Sequence, residues 1–174
     1  TALYISALGV VALLSISSQL VVQHALNQQA SDARTINLAG RQRMLSQRLT
    51  KAALAIHSTP SADDLRDRLE ELQTVTELWE RSHIGLQQGD LELGLPGNNS
   101  TEVTAMFAQI EPQHQTMLSA AREILRLNPV GEPQPDRMLP HLNSILRNEQ
   151  FFLAGMDKIV FQYDREAQAR VDRM

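Results

Sequence analysis

The sequence predicts an all-α fold, an antiparallel four-helix bundle whose first helix extends into an N-terminal transmembrane segment. Aromatic residues make up 4% of the 174 residues, and the chain holds only eight glycines and seven prolines, a composition that favours helices over a β-sandwich. Long segments repeat apolar residues at steps of three and four. Glycine and proline cluster between those segments, where they predict loops.

Residues 1–22 are predicted to form a transmembrane helix that begins before Thr1. No charged side chain occurs up to Gln23, and a complete span needs about 20 apolar residues. A buried core helix or a signal peptide is the alternative, but a cleaved signal would show a small-residue site before a polar start. The helical pattern instead continues from 21 to 36 without glycine or proline. We expect helix 1 to reach Ile56 and residues 23–174 to form the bundle.

The next helix follows Thr59 and Pro60, which are typical of an N-cap and a first helical residue. Helix 2 is predicted from Ser61 to Gln88, and a loop from Gly89 to Asn98.

The second half of the chain predicts helices 3 and 4. Helix 3 starts at Asn99, which forms a capping box with Glu102, and runs to Leu127 with a kink at Pro112. A loop over 128–135 precedes helix 4, which begins between 136 and 140 and runs towards Met174.

The apolar positions of helices 2 to 4 form one stripe on each helix, and we expect these stripes to make the core. Trp79 is expected to anchor the packing between helices. The stripe residues are Leu65, Leu69, Leu72, Val75, Leu78, Trp79, Val103, Met106, Phe107, Ile110, Met117, Leu118, Ala121, Leu125, Leu142, Ile145, Leu146, Phe152, Met156, Ile159, Val160 and Tyr163. An even number of helices returns the chain to the membrane, so a second span is expected after Met174.

One part of helix 1 has an unusual charge. Residues 33–62 hold five basic residues and no acidic one, whereas the rest holds eleven basic and twenty acidic residues. A segment of net charge +5 inside a remainder of −9 is suited to an anion or an acidic partner. The basic residues are Arg34, Arg41, Arg43, Arg48 and Lys51.

Helical spacing places Gly40, Arg43, Met44 and Gln47 on one face. Glycine inside a helix costs about 1 kcal/mol relative to alanine, which the close approach of another backbone or a ligand explains best. Arg43 is therefore expected to face that ligand. It stands about 30 Å beyond Gln23 along the helix, too far to contact lipid headgroups.

In a symmetric dimer this face could bind an anion between the two copies of helix 1. If two copies of helix 1 pack about a two-fold axis, guanidinium groups about 6 Å apart repel by about 3 kcal/mol at an effective dielectric of 20. A small planar oxyanion between them replaces repulsion by two charge-assisted contacts. Such a ligand changes how closely the helices approach, as a switch requires.

Residues Ile36 to Arg48, which read INLAGRQRMLSQR, resemble the signature of the PilJ-type sensory domain of type IV pilus methyl-accepting transducers. That domain is similar to the nitrate/nitrite sensor domain of NarX/NarQ-type histidine kinases. The resemblance implies a periplasmic four-helix bundle between two spans of the bacterial inner membrane. It also implies a homodimer that binds one nitrate between its two copies of helix 1.

Carried onto this sequence, the resemblance implies that Arg43 contacts nitrate directly and that Arg48 supports the site. The full set of expected ligand-binding residues is Arg43, Gly40, Met44, Gln47, Arg48, Ile36 and Asn37. The sequence departs from the kinases in carrying polar Arg41 and Gln42 between Gly40 and Arg43, which affects secondary contacts and anion selectivity. The output domain stays open between a methyl-accepting domain, a histidine kinase and a diguanylate cyclase.

Two plainer interpretations of the basic residues in segment 33–62 stay open. These residues could pair with carboxylates of the other helices, such as Glu70, Glu77, Asp157 or Glu166, or they could dock an acidic periplasmic or pilus protein.

Other functions are not expected. The net charge of −4 does not predict nucleic-acid binding, and the absence of cysteine excludes disulfides and thiolate metal sites. The five histidines show no ligand spacing within a helix, so each is expected on the surface or hydrogen-bonded inside, with no metal or cofactor. They are His24, His57, His83, His114 and His141. No catalytic arrangement is evident, so an enzyme is not expected.

Overall fold

The computed structural model shows four helices in the predicted order. They are α1 (Ala2–Ser58), α2 (Ala62–Gln88), α3 (Thr101–Leu127) and α4 (Pro135–Val171). The structure describes residues 2–58, 62–127 and 135–173. The all-α prediction is confirmed. The predicted cap at Thr59 and Pro60 and the loop over 128–134 lie outside the described residues.

The helices form an antiparallel bundle. α1 packs against α2 and α4, α3 packs against the same two helices, and α1 and α3 face each other across the diagonal with few contacts. The direction follows from the ion pairs between α1 and α4. Arg170 near the end of α4 binds Asp32 early in α1 at 2.8 Å, whereas Asp157 binds Arg43 further along α1.

The predicted apolar stripes form the core. Trp79 is fully buried, as predicted, and its ring packs edge-on against Phe152 of α4, with centroids 5.0 Å apart. The prediction was wrong for Leu146, which is 40% exposed. The adjacent Ile145 takes the core-facing position of that turn, and the next residue lies about 100° further round the helix.

The start of α3 also differs from the prediction. Ser100 is the N-cap, because its hydroxyl accepts a hydrogen bond from the Val103 amide at 3.1 Å. Asn99 instead donates to the Leu86 carbonyl at 2.8 Å and accepts from the Tyr163 hydroxyl at 2.7 Å. The side chain that sequence reasoning assigned to the cap therefore ties the connection between α2 and α3 to α4.

One proline lies inside α3 and another is the first residue of α4. α3 passes through Pro112 as one helix. α4 begins at Pro135, one residue earlier than the predicted range. Proline suits a first helical position, because its missing N–H would have no partner there.

The first part of α1 is apolar and unburied. Residues 8–24 are all exposed, and α1 is long and apolar enough to cross a membrane. Residues 2–22 extend about 30 Å as a helix, which equals the hydrocarbon thickness of a bilayer. The boundary of the span after residue 22 stays a prediction.

Candidate functional site

A stripe of accessible residues, here called the α1 stripe, runs along the side of α1 that faces away from the core. Its members alternate at steps of three and four residues, the spacing at which two helices pack as a coiled coil. They are Leu26, Ala30, Ala33, Asn37, Gly40, Met44, Gln47, Lys51 and Leu54, and none is buried. The three small residues among them would allow another helix to approach closely.

Gly40 lies near the middle of the α1 stripe. A Cβ atom built on Gly40 would have no atom within 4 Å, with the neighbouring backbone of α1 itself left aside. The close approach expected at this glycine is therefore not made by any other part of the chain that the structure describes. A second molecule has open access to it.

Arg43 lies at the α4 side of the α1 stripe. Its Nη1 atom is 2.7 Å from Oδ1 of Asp157, and the two side chains are 47% and 40% exposed. Asp157, one of the carboxylates considered in the plainer interpretation, does therefore pair with a basic residue of segment 33–62. An ion pair with this much solvent exposure contributes about 0.2–1 kcal/mol to stability. Arg43 can therefore exchange Asp157 for another anion at little cost.

Arg48 lies at the opposite side, towards α2. Its Nε atom is 3.1 Å from Oε1 of Glu71, a carboxylate that also accepts from Arg68 at 3.4 Å. Two other proposed partners are engaged elsewhere: Glu77 accepts from Gln73 and Glu166 accepts from Ser100. The α1 stripe is thus flanked by two arginines, each held by one carboxylate of a neighbouring helix.

The predicted site residues are only partly brought together. Asn37, Gly40, Met44 and Gln47 share the α1 stripe, with Arg43 and Arg48 at its sides. Ile36 is half-buried and packs against the core. It lines a cavity of about 360 Å³ between α1, the α2–α3 connection and α4, rather than the stripe.

The two polar residues between Gly40 and Arg43 point in different directions. Gln42 is fully buried, and its amide donates to the Trp79 carbonyl at 3.2 Å. Arg41 is exposed and makes no ion pair with the residues that the structure describes. Gln42 therefore fixes α1 against α2, while Arg41 remains available at the surface.

A second polar cluster lies between α2 and α3, with two histidines in the core and one partly exposed glutamate. The rings of His83 and His114 are each 1% exposed and stack with centroids 3.7 Å apart. The Nε2 atom of His83 lies 2.9 Å from Oε2 of Glu111. Within the described residues, Nδ1 of His83 and both ring nitrogens of His114 have no hydrogen-bond partner. The expectation that buried histidines would be hydrogen-bonded was wrong for His114 and half-wrong for His83.

Burial sets the protonation of this cluster. It lowers the pKa of His83 and lowers that of His114 from its ordinary 6.5 to about 3. Burial raises the pKa of Glu111, but hydrogen bonds from Gln115 and His83 outweigh it and hold that pKa at about 2. Near pH 7 the cluster thus consists of two neutral imidazoles and one carboxylate.

Sequence reasoning missed the cluster because its histidines lie on different helices. The Glu111-x-x-His114 spacing, which places a carboxylate and an imidazole one turn apart on one helix, was the available signal.

The comparison with known families matches the chain to one of them. The family described as type IV pili methyl-accepting chemotaxis transducer N-terminal domain, PilJ, matches residues 24–135, which is more than half of the chain. The match begins where the exposed apolar part of α1 ends, and it contains both the α1 stripe and the histidine cluster. No curated protein and no solved structure resembles the chain closely enough to count as a match.

Proposed function

Because the chain belongs to the PilJ family and is therefore a sensory domain of a chemotaxis transducer, we propose that it senses nitrate, with nitrite as a second anion, at a homodimer interface. The observation that carries the proposal is the α1 stripe, with its unfilled space at Gly40 and a half-exposed arginine at each side. Residues 33–58 of α1 hold no acidic residue, so an anion beside them would meet little repulsion from α1.

The proposed dimer packs two copies of the α1 stripe about a two-fold axis. Ala30, Ala33 and Gly40 would let the helices approach closely, while the two copies of Arg43 reach the axis from opposite sides. One planar oxyanion there would accept hydrogen bonds from both guanidinium groups. Gly40, Met44 and Gln47 would line the site, Asn37 would lie one turn away, and Arg48 would add positive potential.

Exchange of partners at Arg43 supplies the signal. Without ligand, Arg43 holds α4 through Asp157. When an anion at the axis takes Arg43, that tie between α1 and α4 is released, whereas Arg170 still holds Asp32 nearer the membrane. The two helices then shift relative to each other by about 1–2 Å, a size usual for helix displacements in switching proteins.

The proposal includes a membrane topology. Residues 1–22 cross the bacterial inner membrane, residues 23–174 form the periplasmic bundle, and a second span follows Met174. The exposed apolar surface of residues 8–24 supports this arrangement. The end of α4 lies beside Asp32 of α1, so both ends of the bundle face the same side. A displacement of α1 would pass directly into its membrane segment.

Calorimetry on the full 174-residue chain in detergent tests the assignment. Arg43→Ala should abolish the heat of nitrate binding while circular dichroism still shows a helical bundle. Arg66→Ala, which removes an exposed arginine of α2, is the matched control and should bind nitrate normally. Unchanged nitrate affinity in Arg43→Ala would refute the proposal.

A second function is favoured by Arg41 and Lys51, which are exposed and form no ion pair within the described part of the chain. These cations could dock an acidic protein, such as a pilus subunit, with no small anion involved. Thermal melts in nitrate, nitrite, chloride and sulfate separate the two functions. A nitrate-selective rise in Tm supports the sensor, because a ligand that binds only the folded state stabilises it. An equal response to all four salts supports protein docking.

A further inference from the structure

Beyond the sensing of anions, we propose that His83, Glu111 and His114 form a binding site for one zinc ion in the core of the bundle. Glu111 and His114 lie one turn apart on α3, and His83 approaches them from α2. The three side chains each present one ligand atom, and these atoms all lie within 4.8 Å of one another. The site is separate from the α1 stripe.

The distances suit a tetrahedral ion. Zinc bonds to imidazole nitrogen and carboxylate oxygen of about 2.0–2.2 Å place neighbouring ligand atoms about 3.3–3.5 Å apart. The two imidazoles lie near different oxygens of Glu111, with 2.9 Å from His83 Nε2 to Oε2 and 3.8 Å from His114 Nδ1 to Oε1, so the carboxylate must turn slightly until one oxygen faces the ion. A metal lies in the plane of each imidazole that binds it, so the stacked rings must tilt apart towards Glu111.

The unpartnered nitrogens are the independent reason to expect an ion. His114 is 1% exposed and lies 4.3 Å, ring to ring, from Trp79, yet neither of its nitrogens has a hydrogen-bond partner among the described residues. Buried polar atoms in native proteins are nearly always satisfied. Zinc at this place would satisfy Nδ1 and explain why two imidazoles stack within an otherwise aromatic and apolar core.

The chemistry of the ligand set selects the metal. Two imidazoles and one carboxylate form a known zinc set with a fourth position left for water, whereas calcium and magnesium prefer oxygen ligands throughout. Metal binding requires neutral imidazoles and an ionised carboxylate. The Glu111 side chain is 37% exposed, so an ion can enter along it.

Two glutamines hold the carboxylate in place. Gln115 donates to Oε1 of Glu111 at 2.7 Å, and Gln87 of α2 donates to Oε2 at 3.4 Å. Such second-layer hydrogen bonds orient metal ligands and raise their affinity. Because the ligands come from α2 and α3, zinc would tie these helices together and stabilise the bundle rather than catalyse a reaction.

Metal titration of the full chain, first stripped with a chelator, tests the proposal. A free zinc concentration about a hundredfold above its Kd should raise the Tm by about 5–10 °C. Cobalt(II) in place of zinc should bind once per chain, give the visible absorption of a tetrahedral ion and quench the fluorescence of Trp79. This residue is the chain's single tryptophan, so the quenching reports on the core.

Three variants localise the ion. His114→Gln and Glu111→Gln should each weaken cobalt binding at least about tenfold, whereas His141→Gln, which alters a histidine of α4, should not change it. Glu111→Gln keeps the test valid if His114→Gln fails to fold, because Glu111 is partly exposed. The proposal is overturned if zinc leaves the Tm unchanged, if Trp79 is not quenched, or if Glu111→Gln binds like the parent. Loss of binding in His141→Gln alone would place the ion on the surface and overturn it equally.

Discussion

In the proposed site Asp157 competes with nitrate for Arg43, so removal of the Asp157 charge should tighten nitrate binding. The change Asp157→Asn keeps the size of the side chain but removes the charge that holds Arg43 at 2.7 Å. In the proposed dimer one nitrate draws on Arg43 from both protomers, and two such ion pairs must therefore break for each anion bound.

The size of the effect follows from the exposure of the pair. Because both side chains are 40–47% exposed, each pair contributes about 0.2–1 kcal/mol. Two pairs per bound anion amount to about 0.4–2 kcal/mol, which corresponds to nitrate affinity raised about 2- to 30-fold. Since the Arg43–Asp157 pair lies at the surface, Asp157→Asn should not require neighbouring residues to rearrange.

Calorimetric titration of nitrate into the parent chain and into Asp157→Asn measures this difference. The total ionic strength must be held constant with a salt that does not bind, because added ions screen exposed pairs. Glu71→Gln is the matched control, since it removes the carboxylate that holds Arg48 at 3.1 Å, and it should change affinity less than twofold. Unchanged or weaker nitrate binding in a well-folded Asp157→Asn would refute the exchange at Arg43.

Three further predictions concern the stripe and the core. Gly40→Leu should leave the thermal stability of the protomer unchanged or raise it, because a Cβ atom at this position meets no atom within 4 Å. It should nevertheless abolish nitrate binding; melts and calorimetry on one sample check both. Met44→Cys introduces the only cysteine into a chain that has none, and oxidation should cross-link it across the dimer axis, whereas Leu91→Cys in the α2–α3 connection should stay monomeric on a non-reducing gel. Without metal, the free energy of unfolding should fall as the pH drops below 6.5. The histidines of the unfolded chain then bind protons, whereas the buried His83 and His114 of the folded chain stay neutral. For His114, whose pKa is lowered to about 3, the slope should reach about 1.4 kcal/mol per pH unit; urea denaturation at pH 7.5 and 5 measures it, and a flat profile would contradict the burial argument.

The helices were predictable from sequence because their signals are local. Apolar spacing predicted the buried faces of α2 and α3, and the glycines and the proline of residues 89–97 predicted the interruption between these two helices. The start of α3 was placed wrongly, because Asn99 and Ser100 are both good capping residues. Only the contacts of Asn99 with Leu86 and Tyr163 decide between them, and such contacts depend on the complete fold.

The candidate site was predictable only in part for the same reason. Helical geometry placed Gly40, Met44 and Gln47 on one accessible face. It did not reveal that Arg43 binds Asp157, since that contact joins residues more than a hundred positions apart. Nor did it bring His83 to His114, because periodicity relates residues within a helix and says nothing about which turns of two helices meet.

The stoichiometry of nitrate binding tests the central claim most directly. Calorimetry of the parent chain, with its oligomeric state followed by light scattering, should give one nitrate for every two chains and a dimer that is stabilised by nitrate. One nitrate per chain, or saturable binding to a chain that stays monomeric, would contradict a site shared between two copies of α1.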